Sequence, residues 1–226
     1  MRTPLLALVL AVALVQPALA AEPRSFADGA DAAAQGQYKK AVRIWTELAE
    51  AGNRDAQTAL AGMYGGGLGV EPDYDEAAKW FRRAAEQGDP EAALGLGALY
   101  DRGLGVEQNG ERARRWYRKA ADAGFARAQL VLAQIYRHGR GVAADPAEAA
   151  RWYQAAAEGG HPAAQLQLAR LYRDGRGVAQ DPEAALRWYG RAAENGQAIA
   201  RRERNALISG LSAAERRRLG VSGTAE

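Results

Sequence analysis

Tryptophan recurs in this chain at a fixed interval. Trp80, Trp116, Trp152 and Trp188 are each 36 residues apart, and Tyr64, Tyr100, Tyr136 and Tyr172 keep the same spacing. So do Gly52, Gly88, Gly124, Gly160 and Gly196. The same holds for the stretches Gly67-Leu68-Gly69-Val70, Gly103-Leu104-Gly105-Val106, Gly139-Arg140-Gly141-Val142 and Gly175-Arg176-Gly177-Val178. Four gapless copies follow, at 53–88, 89–124, 125–160 and 161–196. A unit this short cannot bury its own apolar face, so neighbouring copies must stack and share one continuous core.

Within a copy, small and apolar residues fall at helical spacing twice, as in Ala128, Leu132, Ile135 and Tyr136 and then Ala149, Trp152, Tyr153 and Ala156. Each copy is therefore predicted to be a helical hairpin, and the chain an all-α solenoid of antiparallel hairpins. Asp145-Pro146 and Asp181-Pro182 mark starts of second helices, with Asp as cap and Pro in the first turn. Glu76 and Glu148, three residues after Asp73 and Asp145, predict capping boxes with Asp in the Ser or Thr place. The glycine series can adopt the left-handed conformation that closes a helix. The aromatic pairs Trp80-Phe81, Trp116-Tyr117, Trp152-Tyr153 and Trp188-Tyr189 lie beside alanine runs. They read as core, which predicts that Trp152→Ala costs roughly 3 to 5 kcal/mol.

The ends are imperfect copies. Residues 21–52 predict an N-terminal capping hairpin, with a first helix over 25–35, a turn at Gly36 and a second helix from Gln37. After the last copy, Arg204 and Ile208 stand where Leu and Tyr are expected. Ser212 to Glu215 opens a short basic helix, so 197–219 are predicted as C-terminal capping helices and 220–226 as a frayed tail. At the start, Arg2, the apolar run Leu5 to Val15 and Ala18-Leu19-Ala20 predict a secretory signal peptide over 1–20. The run is too short to span a bilayer and Pro17 interrupts it. The expected location is the periplasm or the medium, with no membrane insertion after cleavage.

Composition excludes much chemistry. With 226 residues and no Cys, there is no disulfide framework, Cys-ligated zinc, iron–sulfur cluster or thiol nucleophile. His138 and His161 are the only imidazoles and occupy unrelated frame positions, so no metal site is predicted and both read as exposed polar residues. Thirty basic residues against 27 acidic ones argue against a dedicated nucleic-acid binder. The four serines, Ser25, Ser209, Ser212 and Ser222, lie outside the copies and none begins Ser-x-x-Lys. The Gly-x-Gly-Val stretches lack the third Gly of a dinucleotide loop, and Gly65-Gly66-Gly67 lacks the Lys-Ser/Thr of a phosphate loop. Turn geometry alone accounts for them. No catalytic residue and no cofactor is predicted.

Ala128 to Tyr136, followed by Gly139-Arg140-Gly141-Val142, Asp145-Pro146, Ala149 to Tyr153 and Ala156 to Gly160, resembles the Sel1-like repeat, the longer relative of the tetratricopeptide repeat. The resemblance covers 53–196 and implies a right-handed superhelix whose first helices line a concave surface for proteins or peptides. Similar bacterial proteins are exported adaptors, among them periplasmic regulators of sensor kinases and parts of polysaccharide-export machines. Other relatives are cysteine-rich and linked to β-lactams, a carry-over that the absence of Cys weakens.

On that footing the expected function is a non-enzymatic scaffold or adaptor binding a protein segment on its concave face. The alternatives are a cell-envelope hydrolase or β-lactam-binding protein, and an envelope component holding anionic polysaccharide through Arg. Positions related by four, three and four share one face of a first helix. The face that spares the core series reads Asp55, Ala59, Gly62, Gly66; Glu91, Gly95, Ala98, Arg102; Arg127, Val131, Gln134, His138; and Ala163, Gln167, Arg170, Asp174. The partner-binding residues expected from it are Arg102, Arg127, Gln134, His138, Gln167, Arg170 and Asp174.

Overall fold

The structure is a computed structural model and describes residues 25–221; the leader reading over 1–20 and the end of the tail lie outside them. Twelve helices follow one another among these residues. A first hairpin, α1 (Phe26–Ala34) and α2 (Tyr38–Glu50), precedes α3 (Arg54–Gly66) and α4 (Tyr74–Glu86). Then come α5 (Pro90–Arg102), α6 (Gly110–Asp122), α7 (Ala126–His138) and α8 (Pro146–Glu158). The last are α9 (Pro162–Asp174), α10 (Pro182–Glu194), α11 (Ala198–Gly210) and α12 (Ala213–Arg218). From α1 to α11 each helix packs chiefly on the next in sequence, as in a solenoid.

Local chemistry sets these boundaries. Asn53, Asp73, Asp89, Asn109, Asp145 and Asp181 each accept a backbone N–H from the first turn they precede. First helices stop at Gly67, Gly103, Gly139 and Gly175, all left-handed. The boxes predicted at Asp73 and Asp145 form only by half. Glu76 and Glu148 turn away from the cap and accept the indole N–H of Trp80 at 3.0 Å and of Trp152 at 2.9 Å. Reciprocal boxes form where Ser caps the helix, at Ser25 with Asp28 and at Ser212 with Glu215.

In the core, Leu60, Leu96, Leu132 and Leu168 are fully buried, and alanines on both helices allow close approach. The aromatic pairs divide their labour, which corrects the expectation that the tryptophan is the core member. Tyr117, Tyr153 and Tyr189 are buried, Tyr153 and Tyr189 completely. Trp80 is buried, but Trp116, Trp152 and Trp188 are only half-buried. Each of these four lies under a cation: Lys79 and Arg83 over Trp80, Lys119 over Trp116, Arg118 over Trp152 and Arg191 over Trp188. A ring in that position is amphipathic packing at the edge of the core.

Buried glutamines tie copies together. The side-chain amides of Gln57, Gln129 and Gln165 donate to the carbonyls of Ala49, Ala121 and Ala157, at the open ends of the preceding second helices. Gln57 then accepts from Gln87, and Gln165 from Asn195, at 2.8 and 2.9 Å. The position that would serve Gln129 is Gly159, which has no side chain, and Gln129 Oε1 is left buried without a hydrogen bond among the described residues. Gly159→Asn is therefore expected to raise stability by about 1 kcal/mol, the worth of a satisfied buried acceptor. A denaturant melt showing no gain would mean that the 3.3 Å approach of a new Cβ to Ala126 outweighs the bond.

Candidate functional site

The second helices contribute to the face that the first helices line. Aromatics of second helices reach this face beside residues fourteen positions on: Phe81 lies against Gly95, Tyr117 lines the groove with Val131, and the Tyr189 hydroxyl donates to Glu203. A Cβ on Gly95 would come within 2.8 Å of the Phe81 ring, so glycine is what lets that ring rise to the surface.

Centred on the first two copies and reaching the third through Arg127, Val131 and Arg140, this produces a groove of about 820 Å³. Its floor is Ala59, Gly62, Phe81, Leu94, Gly95, Ala98 and Val131, and Phe26 of α1 closes one end. One edge carries Asp55, Glu91 and Arg127, from the starts of α3, α5 and α7. Glu91 and Arg127 are 3.8 Å apart and well exposed, a weak pair. Asp89 on this side is committed to structure: it caps α5 through Ala92 N–H at 2.9 Å and accepts the Thr58 hydroxyl at 3.0 Å. The opposite edge carries Asp101 and Arg102 from the end of α5, and Arg140 from the loop after α7. Between them lies Tyr117, whose hydroxyl is pushed up to about 12 by burial first and by the nearby Asp101 second.

In the last two copies the same surface is filled from within. Arg170 pairs with Glu203 of α11, its Nε donating at 2.9 Å. Arg173 Nη1 donates to the Tyr189 hydroxyl at 3.1 Å, and that hydroxyl donates to Glu203 at 3.0 Å. The hydrogen bond from Arg170 holds the Glu203 carboxyl below the usual glutamate range, and burial with the Glu203 carboxylate raises the Tyr189 hydroxyl. Arg137 donates to Gln167 at 2.9 Å, and Asp174 accepts from Arg173 at 2.7 Å.

The seven residues expected to bind a partner are thus separated. Arg102 and Arg127 lie on the groove. Gln167, Arg170 and Asp174 are engaged within the chain. Gln134 and His138 are exposed on α7 but outside the groove lining. A charge reversal at both Arg127 and Arg170 would therefore disturb an internal ion pair as well as a surface. His161 departs from its reading as an exposed residue: it is half-buried, and its Nδ1 has no hydrogen-bond partner among the described residues. Phe81, Leu94, Asp101, Tyr117 and Arg140 were not on the expected face. For Phe81 and Tyr117 the sign in the sequence is the fourteen-residue register between aromatic and groove position.

Four Sel1 repeats match at residues 54–89, 90–125, 126–161 and 162–197. The chain belongs to the Sel1 repeat family. The fold is accordingly the right-handed α-solenoid that the resemblance implied. One similar structure is c5321, a protective antigen of uropathogenic Escherichia coli strains with an SLR fold, at 32% identity and a TM-score of 0.78. That match covers 88% of this chain but 42% of the other, so this chain spans under half the length of that Sel1 protein. A Sel1 repeat protein of Oxalobacter formigenes is also 32% identical, with a TM-score of 0.73, over 82% of this chain and 74% of that one. No curated protein matches the chain. Sel1 repeat proteins are generally non-catalytic scaffolds for protein–protein interaction. No helix among the described residues is long and apolar enough to cross a membrane.

Proposed function

We propose that this Sel1 repeat chain is a non-enzymatic adaptor of the bacterial periplasm, or a secreted one, that holds a segment of a partner protein in the groove of its first two copies. The observation that carries this reading is the contrast along one surface. The first two copies present an apolar floor between charged edges, whereas Arg170, Arg173 and Glu203 fill the last two. A groove of this size, apolar below and polar at its edges, suits one or two side chains of a bound segment. The leader-like start of the sequence supports export.

A photo-crosslinking residue in place of Ala98, in the full-length protein expressed in its native envelope, tests the reading. The expected result is a discrete adduct carried by a protein of the mature mass beginning at Ala21, and no such adduct from the exposed position Gln154 on α8. Equal capture from both positions would overturn the groove, and a retained Met1 would overturn export.

A further inference from the structure

The tyrosine hydroxyls of the second helices form a series with one member left over. Tyr189 is bonded to Arg173 and Glu203, and Tyr153 lies 3.5 Å from Arg137. Tyr117 is 4% exposed, lines the groove, and its hydroxyl makes no hydrogen bond among the described residues. Its surroundings explain why. The positions that hold Arg170 and Glu203 beside Tyr189 are Ala98 and Val131 beside Tyr117, two periods earlier. Short apolar side chains leave open the space that the fourth copy closes with an ion pair.

Three charged side chains face that space: Asp101, Arg102 and Arg140. None is engaged in a salt bridge among the described residues, and together they give the edge one net positive charge. Water can serve the tyrosine hydroxyl in the free protein, but a ligand displacing it has to offer an acceptor. A carboxylate does so while meeting both guanidiniums, which have no ion-pair partner among the described residues. It would repeat from outside what Glu203 does from within. Beside this point lies the hollow over Phe81 and Gly95, open to a large apolar side chain.

We infer that the groove takes an acidic segment of its partner, with an Asp or Glu carboxylate at the Tyr117 hydroxyl between Arg102 and Arg140 and a neighbouring large apolar side chain over Phe81. This rests on the groove reading above and specifies its chemistry. The probes are acetyl-Gly-Phe-Glu-Gly-amide and its Gln and Lys counterparts, titrated into the isotopically labelled chain from Ala21 onward and read by amide chemical shifts. The glutamate peptide is expected to move the Gly95, Ala98 and Tyr117 signals and to bind at least about fivefold more tightly than the glutamine peptide, with lysine weakest. Arg102→Gln combined with Arg140→Gln should erase that order without changing the melting transition, and Tyr117→Phe should reduce it. Equal or tighter binding of the lysine peptide at the same signals overturns the acidic chemistry and leaves the groove standing. No shift with any of the three overturns this proposal, and crosslinking from position 98 then decides the groove separately.

Discussion

Tyr153→Ala is expected to lower the unfolding free energy by about 3 to 5 kcal/mol, whereas Trp152→Ala, one residue earlier, is expected to cost roughly 1 to 2 kcal/mol. Tyr153 has no exposed surface and packs among Ala149, Ala156, Ala164 and Leu168, so its removal leaves a cavity between two copies. Trp152 is half-buried, with Arg118 over its ring and its indole N–H on Glu148. Truncation there opens a surface that water fills, and part of the lost area was never dry. Urea melts of both variants followed by circular dichroism give the comparison. Equal losses would return the tryptophan to the core and contradict the division of labour between the two rings.

Gly105→Ala is expected to destabilise by about 3 kcal/mol or more, and Gly141→Ala by only about 1 to 2 kcal/mol, although both glycines occupy the same place in their copies. Both have φ in the left-handed region, 62° and 67°, so a Cβ is strained at either. The difference is the neighbour. A Cβ on Gly105 would overlap the Tyr74 carbonyl and come within 2.6 Å of Asp75 N, where the loop rests on the start of α4. Gly177 sits just as close to the start of α8, and Gly69 somewhat less close, at 2.5 Å, to the start of α2. A Cβ on Gly141 would meet nothing within 4 Å, and only Arg114 reaches across to its carbonyl. Both glycines of the repeated Gly-x-Gly-Val therefore serve the turn, with φ between 62° and 77°, as turn geometry required from the sequence, and at Gly69, Gly105 and Gly177 the second also allows close copy-to-copy contact. Equal losses at 105 and 141 would mean that strain dominates.

The solenoid was legible because its causes are local and recur every 36 residues: caps such as Asp145, closing glycines such as Gly160, and leucines such as Leu132 at helical spacing. The groove was legible in part. Helical geometry places Asp55, Ala59, Gly62, Glu91, Gly95, Ala98, Arg102, Arg127 and Val131 on one face, and these line it. Phe81 and Tyr117 were hidden because a ring on a second helix reaches that face only through the stacking of two copies. Arg170 was misplaced for a related reason. Its partner Glu203 belongs to a degenerate fifth copy, where loss of the Leu and Tyr signature obscures that Glu203 falls in the row of Ala59, Gly95, Val131 and Gln167.

That row allows the open half of the surface to be converted into the closed half. Ala98→Arg, Asp101→Arg and Val131→Glu together place around Tyr117 the counterparts of the residues that surround Tyr189, namely Arg170, Arg173 and Glu203. The measurement is the affinity of the triple variant for the partner captured through position 98, beside that of the unaltered chain. The groove account predicts a loss of at least about tenfold with the melting transition retained; undiminished affinity in a folded triple variant would contradict it.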